Sequence, residues 1–258
     1  MSRMEEAFKE MKKENKKILV SYFPLGDPCV ADSAEWAKLF YDCGTTVLEV
    51  GLPFEKPVLD GTVVRESMER ALQRINLDES FEEIRKIRNA NPKKIIQLMT
   101  YVENILKIGF EEFAEKCHEC DIDAVLSANA NQKQMAELDR VLSRYDIDNL
   151  RFIPYHIEER HVEDLKNNGK GYVYLQAIDG KTGGVTELTD QIEKNIDMLR
   201  SAGIEIPLIP GFGISTQEHI RVYLSMGADG VIVGSSIIKN LLEGNGETYI
   251  RSLAQALE

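Results

Sequence analysis

Two carboxylates stand close together in the first quarter of the chain. Glu49 lies in the run Leu48-Glu49-Val50-Gly51-Leu52-Pro53-Phe54, and Asp60 follows in Leu59-Asp60-Gly61. The residues before Glu49 read as a strand, so Glu49 falls near a strand end and the proline-containing loop returns Asp60 to its side. A pair of this kind can perform general acid–base work on a small substrate. One acid is desolvated until it holds a proton near neutral pH, while the other stays ionised. The plain alternative is that Glu49 pairs with a neighbouring lysine and Asp60 merely opens the turn at Gly61.

A second kind of chemistry is written near the C-terminus. Pro210-Gly211-Phe212-Gly213-Ile214-Ser215 places Ser215 or Thr216 to cap a following helix. Ala228-Asp229-Gly230-Val231-Ile232-Val233-Gly234-Ser235-Ser236 leads straight into another. Glycines let backbone N–H groups approach an anion, and a helix N-terminus offers unpaired donors at a positive dipole end. The two turns together predict a phosphate site that needs no basic side chain; taken as ordinary structure, they only end strands and cap helices. Asp179-Gly180-Lys181-Thr182-Gly183-Gly184-Val185 reads as a mobile lid rather than a surface loop. It lacks the spacing of a Walker A loop.

The remaining reactive residues carry less. Cys117 and Cys120 form a C-x-x-C around His118, without a second such pair, and read as structural thiols on a helix. The histidines at 118, 156, 161 and 219 are scattered and nominate no base. The reading expects no metal and no cofactor.

These groups need a scaffold, and the rest of the sequence supplies one. Apolar β-branched runs at 17–23, 46–51, 94–100, 124–127, 150–154, 172–177, 206–210 and 230–234 read as strands. Amphipathic stretches at 31–43, 62–74, 104–120, 132–145, 158–168, 189–202, 216–226 and 236–243 read as helices between them. Alternation predicts βαβ units and a parallel sheet. Eight units in 258 residues fit a closed (β/α)8 TIM barrel better than a doubly wound sheet. Residues 1–15 read as an extra N-terminal helix closing the barrel bottom, and 247–257 as a final one. With no linker or low-complexity break, residues 1–258 are expected to form a single domain. Active sites of such barrels lie at the C-terminal strand ends, where Glu49, Asp60 and both glycine turns fall.

Composition narrows the function. A net charge of −12 argues against binding a phosphate backbone of nucleic acid. No apolar run approaches the roughly 20 residues of a membrane span. Glu5, Glu6, Glu10 and Glu14 among the N-terminal lysines do not make a signal peptide, so a cytoplasmic protein is expected.

Taken together, the motifs resemble the tryptophan synthase alpha chain family. The matching residues are Leu25-Gly26-Asp27-Pro28, Glu49 to Phe54, Asp60-Gly61, Met99-Thr100-Tyr101, Tyr174-Leu175, Thr182-Gly183, Gly211 to Ser215 and Ala228 to Ser235. The resemblance implies a carbon–carbon lyase that splits indole-3-glycerol phosphate into indole and glyceraldehyde 3-phosphate. Asp60 would hold the indole N–H, and Glu49 would protonate the ring carbon and handle the glycerol hydroxyl proton. Gly183, Gly213, Gly234 and Ser235 would cradle the phosphate, with Thr182 on the lid. Tyr22, Met99, Tyr101, Leu126, Tyr174, Phe212 and Ile232 would form the indole pocket.

The chain departs from the family pattern at three places. Glu55-Lys56-Pro57 replaces Ser-Asp-Pro, Ala128 to Gln132 replaces Pro-Asp-Leu-Pro, and Thr62 replaces a proline. A tryptophan synthase beta chain is the implied partner, and the charge reversal at Lys56 together with the changed Asn129 to Gln132 segment weighs against its docking. Two other readings stay open at this level. One is a barrel lyase or isomerase acting on a different phosphorylated substrate; the other is a phosphate-binding, non-catalytic subunit that activates a partner.

Overall fold

The computed structural model describes residues 2–28, 33–127, 129–180 and 190–258. Among these residues nine parallel strands follow in chain order: β1 Ile18–Pro24, β2 Val47–Gly51, β3 Ile95–Thr100, β4 Ala124–Ser127, β5 Asp148–Asn149, β6 Arg151–Ile153, β7 Val173–Gln176, β8 Leu208–Gly211 and β9 Gly230–Val233. They pair in the orders β5-β4-β3-β2-β1-β9 and β6-β7-β8. β5 and β6 are one barrel strand in two pieces, for β5 pairs with β4 and, past Leu150, β6 pairs with β7. On the other side the Asp229 N–H donates to the Leu208 carbonyl at 3.0 Å, joining β8 to β9. The ring is thus the expected (β/α)8 barrel.

Inward and outward positions alternate, as the pleat requires. Ile18, Val20 and Tyr22 of β1, Val47 of β2, Ile95 and Met99 of β3 and Ile232 of β9 belong to the interior cluster. Leu19, Phe23, Leu48, Val50, Ile96 and Leu98 face the helices. The helix α1 (Arg3–Lys13), started by a Ser2/Glu5 capping box, inserts Met4 and Phe8 into the interior cluster. The Phe8 ring stands 6.4 Å from that of Tyr172, so α1 plugs the barrel floor as the sequence led one to expect.

The outer helices are α2 (Ser33–Asp42), α3 (Thr62–Leu72), α4 (Leu77–Ala90), α5 (Val102–Ile108), α6 (Phe110–Glu119), α7 (Gln132–Leu142), α8 (Glu159–Asn168), α9 (Gln191–Ser201), α10 (Gln217–Ser225), α11 (Ser235–Leu242) and α12 (Gly246–Gln255). Two differ from the sequence expectation. α4 fills a stretch left unassigned, and it buries Phe81, Ile84 and Ile87 behind an Asn76/Glu79 capping box. The single helix expected over 104–120 is two, α5 and α6, because Gly109 adopts φ 95°, outside the helical region. Among the described residues no helix is long and apolar enough to cross a membrane.

A buried ion network ties the floor to the wall. The Arg88 guanidinium donates to the carbonyls of Asn91, Lys94 and Asp121 and to the Asp123 carboxylate at 2.6 Å. Asp123 also receives Arg3 of α1 and the Ile96 N–H of β3. Removing one partner of such a pair strands a buried charge. Arg88→Met is therefore expected to lower stability by about 3–5 kcal/mol and the melting temperature by roughly 10 °C, as calorimetry would show.

Candidate active site

A cavity of about 330 Å³ opens at the C-terminal ends of the strands, within the range of small-molecule sites. Its walls carry Glu49 and Asp60 together with Tyr22, Met99, Leu126, Tyr174, Phe212 and Ile232. Gly213, Gly234 and Ser235 line its other end. Tyr101 stands behind Asp60 rather than on the wall, stacked on Phe54 with ring centroids 4.9 Å apart. Thr182 and Gly183, with residues 181–185 of the expected lid, lie outside the described residues, as does Ala128.

Register explains the acid end. Glu49 pairs across β1 with Tyr22 and across β3 with Gln97, so all three occupy one layer of the barrel. The Tyr172 hydroxyl donates to Gln97 Oε1 at 2.5 Å, which orients the Gln97 amide to donate to Glu49 Oε1 at 2.9 Å. Only 3% of Glu49 is exposed. Burial, reinforced by the charge of Asp60, pushes its carboxyl up to about 8, against a smaller opposing pull from the Gln97 hydrogen bond. Glu49 therefore carries its proton at neutral pH.

Asp60 is held differently. The Tyr101 hydroxyl donates to its Oδ2 at 2.7 Å and itself accepts from the Leu59 N–H. α3 begins immediately after, with Gly61 as its N-cap, so the positive end of a helix dipole lies beside the carboxylate. α3 is in turn pinned to the loop after β1. Ser67 donates to Asp27 Oδ2 at 2.7 Å, and Arg70 meets the same carboxylate at 2.9 and 2.7 Å. The Leu25 to Pro28 segment thus positions Asp60 from a distance.

The other end of the cavity joins both glycine turns. Phe212 and Gly213 take φ values of 78° and 72°; for the phenylalanine this is a strained, left-handed conformation of the sort that gathers at functional sites. Ser236 Oγ donates to the Ile214 carbonyl at 3.2 Å, and the Tyr249 hydroxyl of α12 to the Ser215 carbonyl at 2.9 Å, locking the turns together. The N-terminus of α11 opens on the cavity at Ser235. Its first N–H groups lack intrahelical partners, the arrangement that receives anions.

Wall residues missed from sequence include Leu59 and Val64 beside Asp60, and three others. Phe152 packs on the Tyr174 and Phe212 rings at 5.4 and 5.9 Å. Lys239 lies one turn of α11 beyond Ser235, and His219, one of the scattered histidines, lies in the first turn of α10; both line the cavity. The i, i+4 spacing from Ser235 was a readable signal for Lys239, whereas nothing local marked the other two. The C-x-x-C behaves as expected, with Cys117 and Cys120 free and buried. Among the described residues no group of three histidine, cysteine or acidic side chains could hold a metal ion.

Fold and site define a TIM barrel with a buried, protonated acid beside a second carboxylate, and glycine turns with a helix N-terminus across an apolar slot. Comparison with known proteins makes this specific. The sequence pattern described as tryptophan synthase alpha chain matches residues 8–257. The chain belongs to that family. It is 31% identical to the tryptophan synthase alpha chain of Helicobacter pylori strain HPAG1, over 93% of this chain and 92% of the relative. The Neisseria gonorrhoeae alpha chain is also 31% identical, over 100% and 98%. Among solved structures, one from Aquifex aeolicus VF5 superposes with a TM-score of 0.91 at 27% identity, covering all of both chains. The tryptophan synthase alpha subunit of Legionella pneumophila superposes with a TM-score of 0.88 at 25% identity, covering 100% of this chain and 98% of that one.

Proposed function

We propose that this chain cleaves indole-3-glycerol phosphate to indole and glyceraldehyde 3-phosphate, with Glu49 carrying the proton transfers and Asp60 stabilising the charge they develop. Family membership makes the chain a carbon–carbon lyase of tryptophan biosynthesis. The observation that carries the residue assignment is Glu49, buried and neutral to about pH 8 at the Asp60 end of a cavity whose other end is an anion cradle.

The indole sits in the slot between Met99, Leu126, Tyr174, Phe212 and Ile232, and its N–H donates to Asp60. Glu49 gives its proton to the ring carbon that bears the glyceryl chain. The ring nitrogen becomes positively charged, and Asp60 stabilises it. Glu49, now a carboxylate, takes the proton of the hydroxyl on the adjacent chain carbon. The O–H electron pair forms the aldehyde C=O, and the C–C pair returns to the ring to neutralise it. Glu49 ends protonated, as it began. The phosphate stays on Gly213, Gly234 and Ser235 throughout, with Gly183 and the Thr182 lid assigned to the same task. Lys239 and His219 add donors there.

The whole chain acts as one barrel domain in this reading, with a cytoplasmic location suited to its free thiols at Cys43, Cys117 and Cys120. Docking of a beta chain belongs to the same proposal and meets an altered surface. Glu55, Lys56 and Val58 are exposed. Asn129 is spent within the chain, accepting from the Val102 N–H at 2.8 Å and donating to Glu103. The test is to incubate the purified chain with indole-3-glycerol phosphate and follow both products. Equal amounts of indole and glyceraldehyde 3-phosphate are expected; a bound substrate that yields neither overturns the assignment.

A further inference from the structure

Tyr22 lines the cavity, and this scheme leaves its hydroxyl idle. That oxygen is almost wholly enclosed and finds no hydrogen-bond partner among the described residues. An enclosed hydroxyl without a partner destabilises the fold and calls for a reason. The backbone makes room for it: a Cβ on Gly51 would lie 2.2 Å from the Tyr22 oxygen, so only glycine fits beside it. At the other end of the side chain, Tyr22 Cβ lies 3.5 Å from where a Gly234 Cβ would stand. The ring therefore runs from the phosphate cradle to the acid pair, its hydroxyl at the acid end. Burial, then the charges of Asp60 and Glu49, push the phenol well above its ordinary range, so it remains an O–H donor and acceptor.

Resting on the substrate proposed above, the polar atoms of the ligand can be apportioned. The ring offers one, the N–H, assigned to Asp60. The phosphate lies at the glycine end. What remains is the pair of hydroxyls on the chain joining them, along which the Tyr22 side chain runs.

We infer that the Tyr22 hydroxyl is a substrate-positioning group that hydrogen-bonds a hydroxyl of the glyceryl chain. It thereby distinguishes indole-3-glycerol phosphate from otherwise identical indolyl phosphates that lack those hydroxyls.

The test compares Tyr22→Phe with the unaltered chain on two ligands: indole-3-glycerol phosphate, and 3-(indol-3-yl)propyl phosphate, which has the same ring, chain length and phosphate but no chain hydroxyl. The variant removes one atom whose loss leaves no protein group unpaired, so its melting temperature is expected to be no lower than that of the unaltered chain. kcat/KM for the substrate is expected to fall about tenfold, the worth of one hydrogen bond. The inhibition constant of the propyl phosphate is expected to stay within about twofold, since it makes no such bond. Equal weakening of both ligands would assign Tyr22 to ring packing alone and overturn the inference, as would unchanged kcat/KM. An unaltered chain that bound neither ligand would overturn the substrate assignment and this inference with it, a result distinct from failure of the hydroxyl contact.

Discussion

Glu49→Gln is expected to lower kcat for indole release about 10²–10⁴-fold, the usual contribution of a positioned proton carrier, while KM changes little. Glutamine keeps the shape of the side chain and can still accept the Gln97 amide hydrogen bond now made by Glu49 Oε1. What it loses is the transferable proton. The same substitution should make the folded protein more stable, in a pH-dependent way. The carboxyl of Glu49 is raised from 4.5 to about 8 in the fold, so between these values the native state holds a proton that the unfolded chain has released. Stability of the unaltered chain therefore falls as pH rises through this window and levels off above it. Glutamine does not titrate. The stability advantage of the variant should grow from near pH 4.5 to pH 8, reaching on the order of a few kcal/mol. Denaturant melts of both proteins at several pH values measure it; parallel curves would show that Glu49 is ionised in the fold. Loss of activity joined to gain of stability is the mark of a group kept for chemistry.

Asp60→Asn is expected to reduce kcat about 10²–10³-fold, the scale found when a preorganised partner of developing charge is removed. Asparagine can keep the hydrogen bond from Tyr101 but offers no negative charge to the indole nitrogen. A second consequence follows from the coupling of the two acids. Asp60 is one of the causes that raise Glu49, so neutralising it must move the Glu49 transition to lower pH. The stability window described above should close at a lower pH in Asp60→Asn than in the unaltered chain. An unmoved window would mean that the two carboxylates do not sense each other.

Much of this architecture was legible because strands buried on both faces leave near-continuous apolar runs, which locate each barrel strand to within about two residues. Glu49 stood out as a carboxylate inside one such run, Asp60 in the loop that follows it, and the glycines at the ends of the last two runs. The misses have physical causes. α4 announces itself only through the Asn76 and Glu79 capping pair, and its buried Phe81, Ile84 and Ile87 are diluted by charged residues on the opposite face. The break between α5 and α6 depends on one backbone angle at Gly109. Gln97 orients Glu49 through a register that barrel closure sets, so no spacing along the chain reveals it. His219 and Phe152 reach the cavity from elements whose sequences resemble ordinary helix and strand. Tyr101 was expected in the indole pocket from its motif; its place behind Asp60 instead depends on the path of the loop that carries Leu59. Arg88 shows the same limit for stability, since its partners come from segments that only the closed floor brings together.

The pH dependence of kcat/KM for indole release by the unaltered chain shows whether Glu49 enters the reaction protonated. A buried Glu49 that must start protonated predicts a plateau around neutrality and a fall above about pH 8, by about tenfold per unit where a single group governs it. A rate that climbs through pH 8 and stays high toward pH 10 would contradict the account, because it would require Glu49 to enter the reaction as a carboxylate.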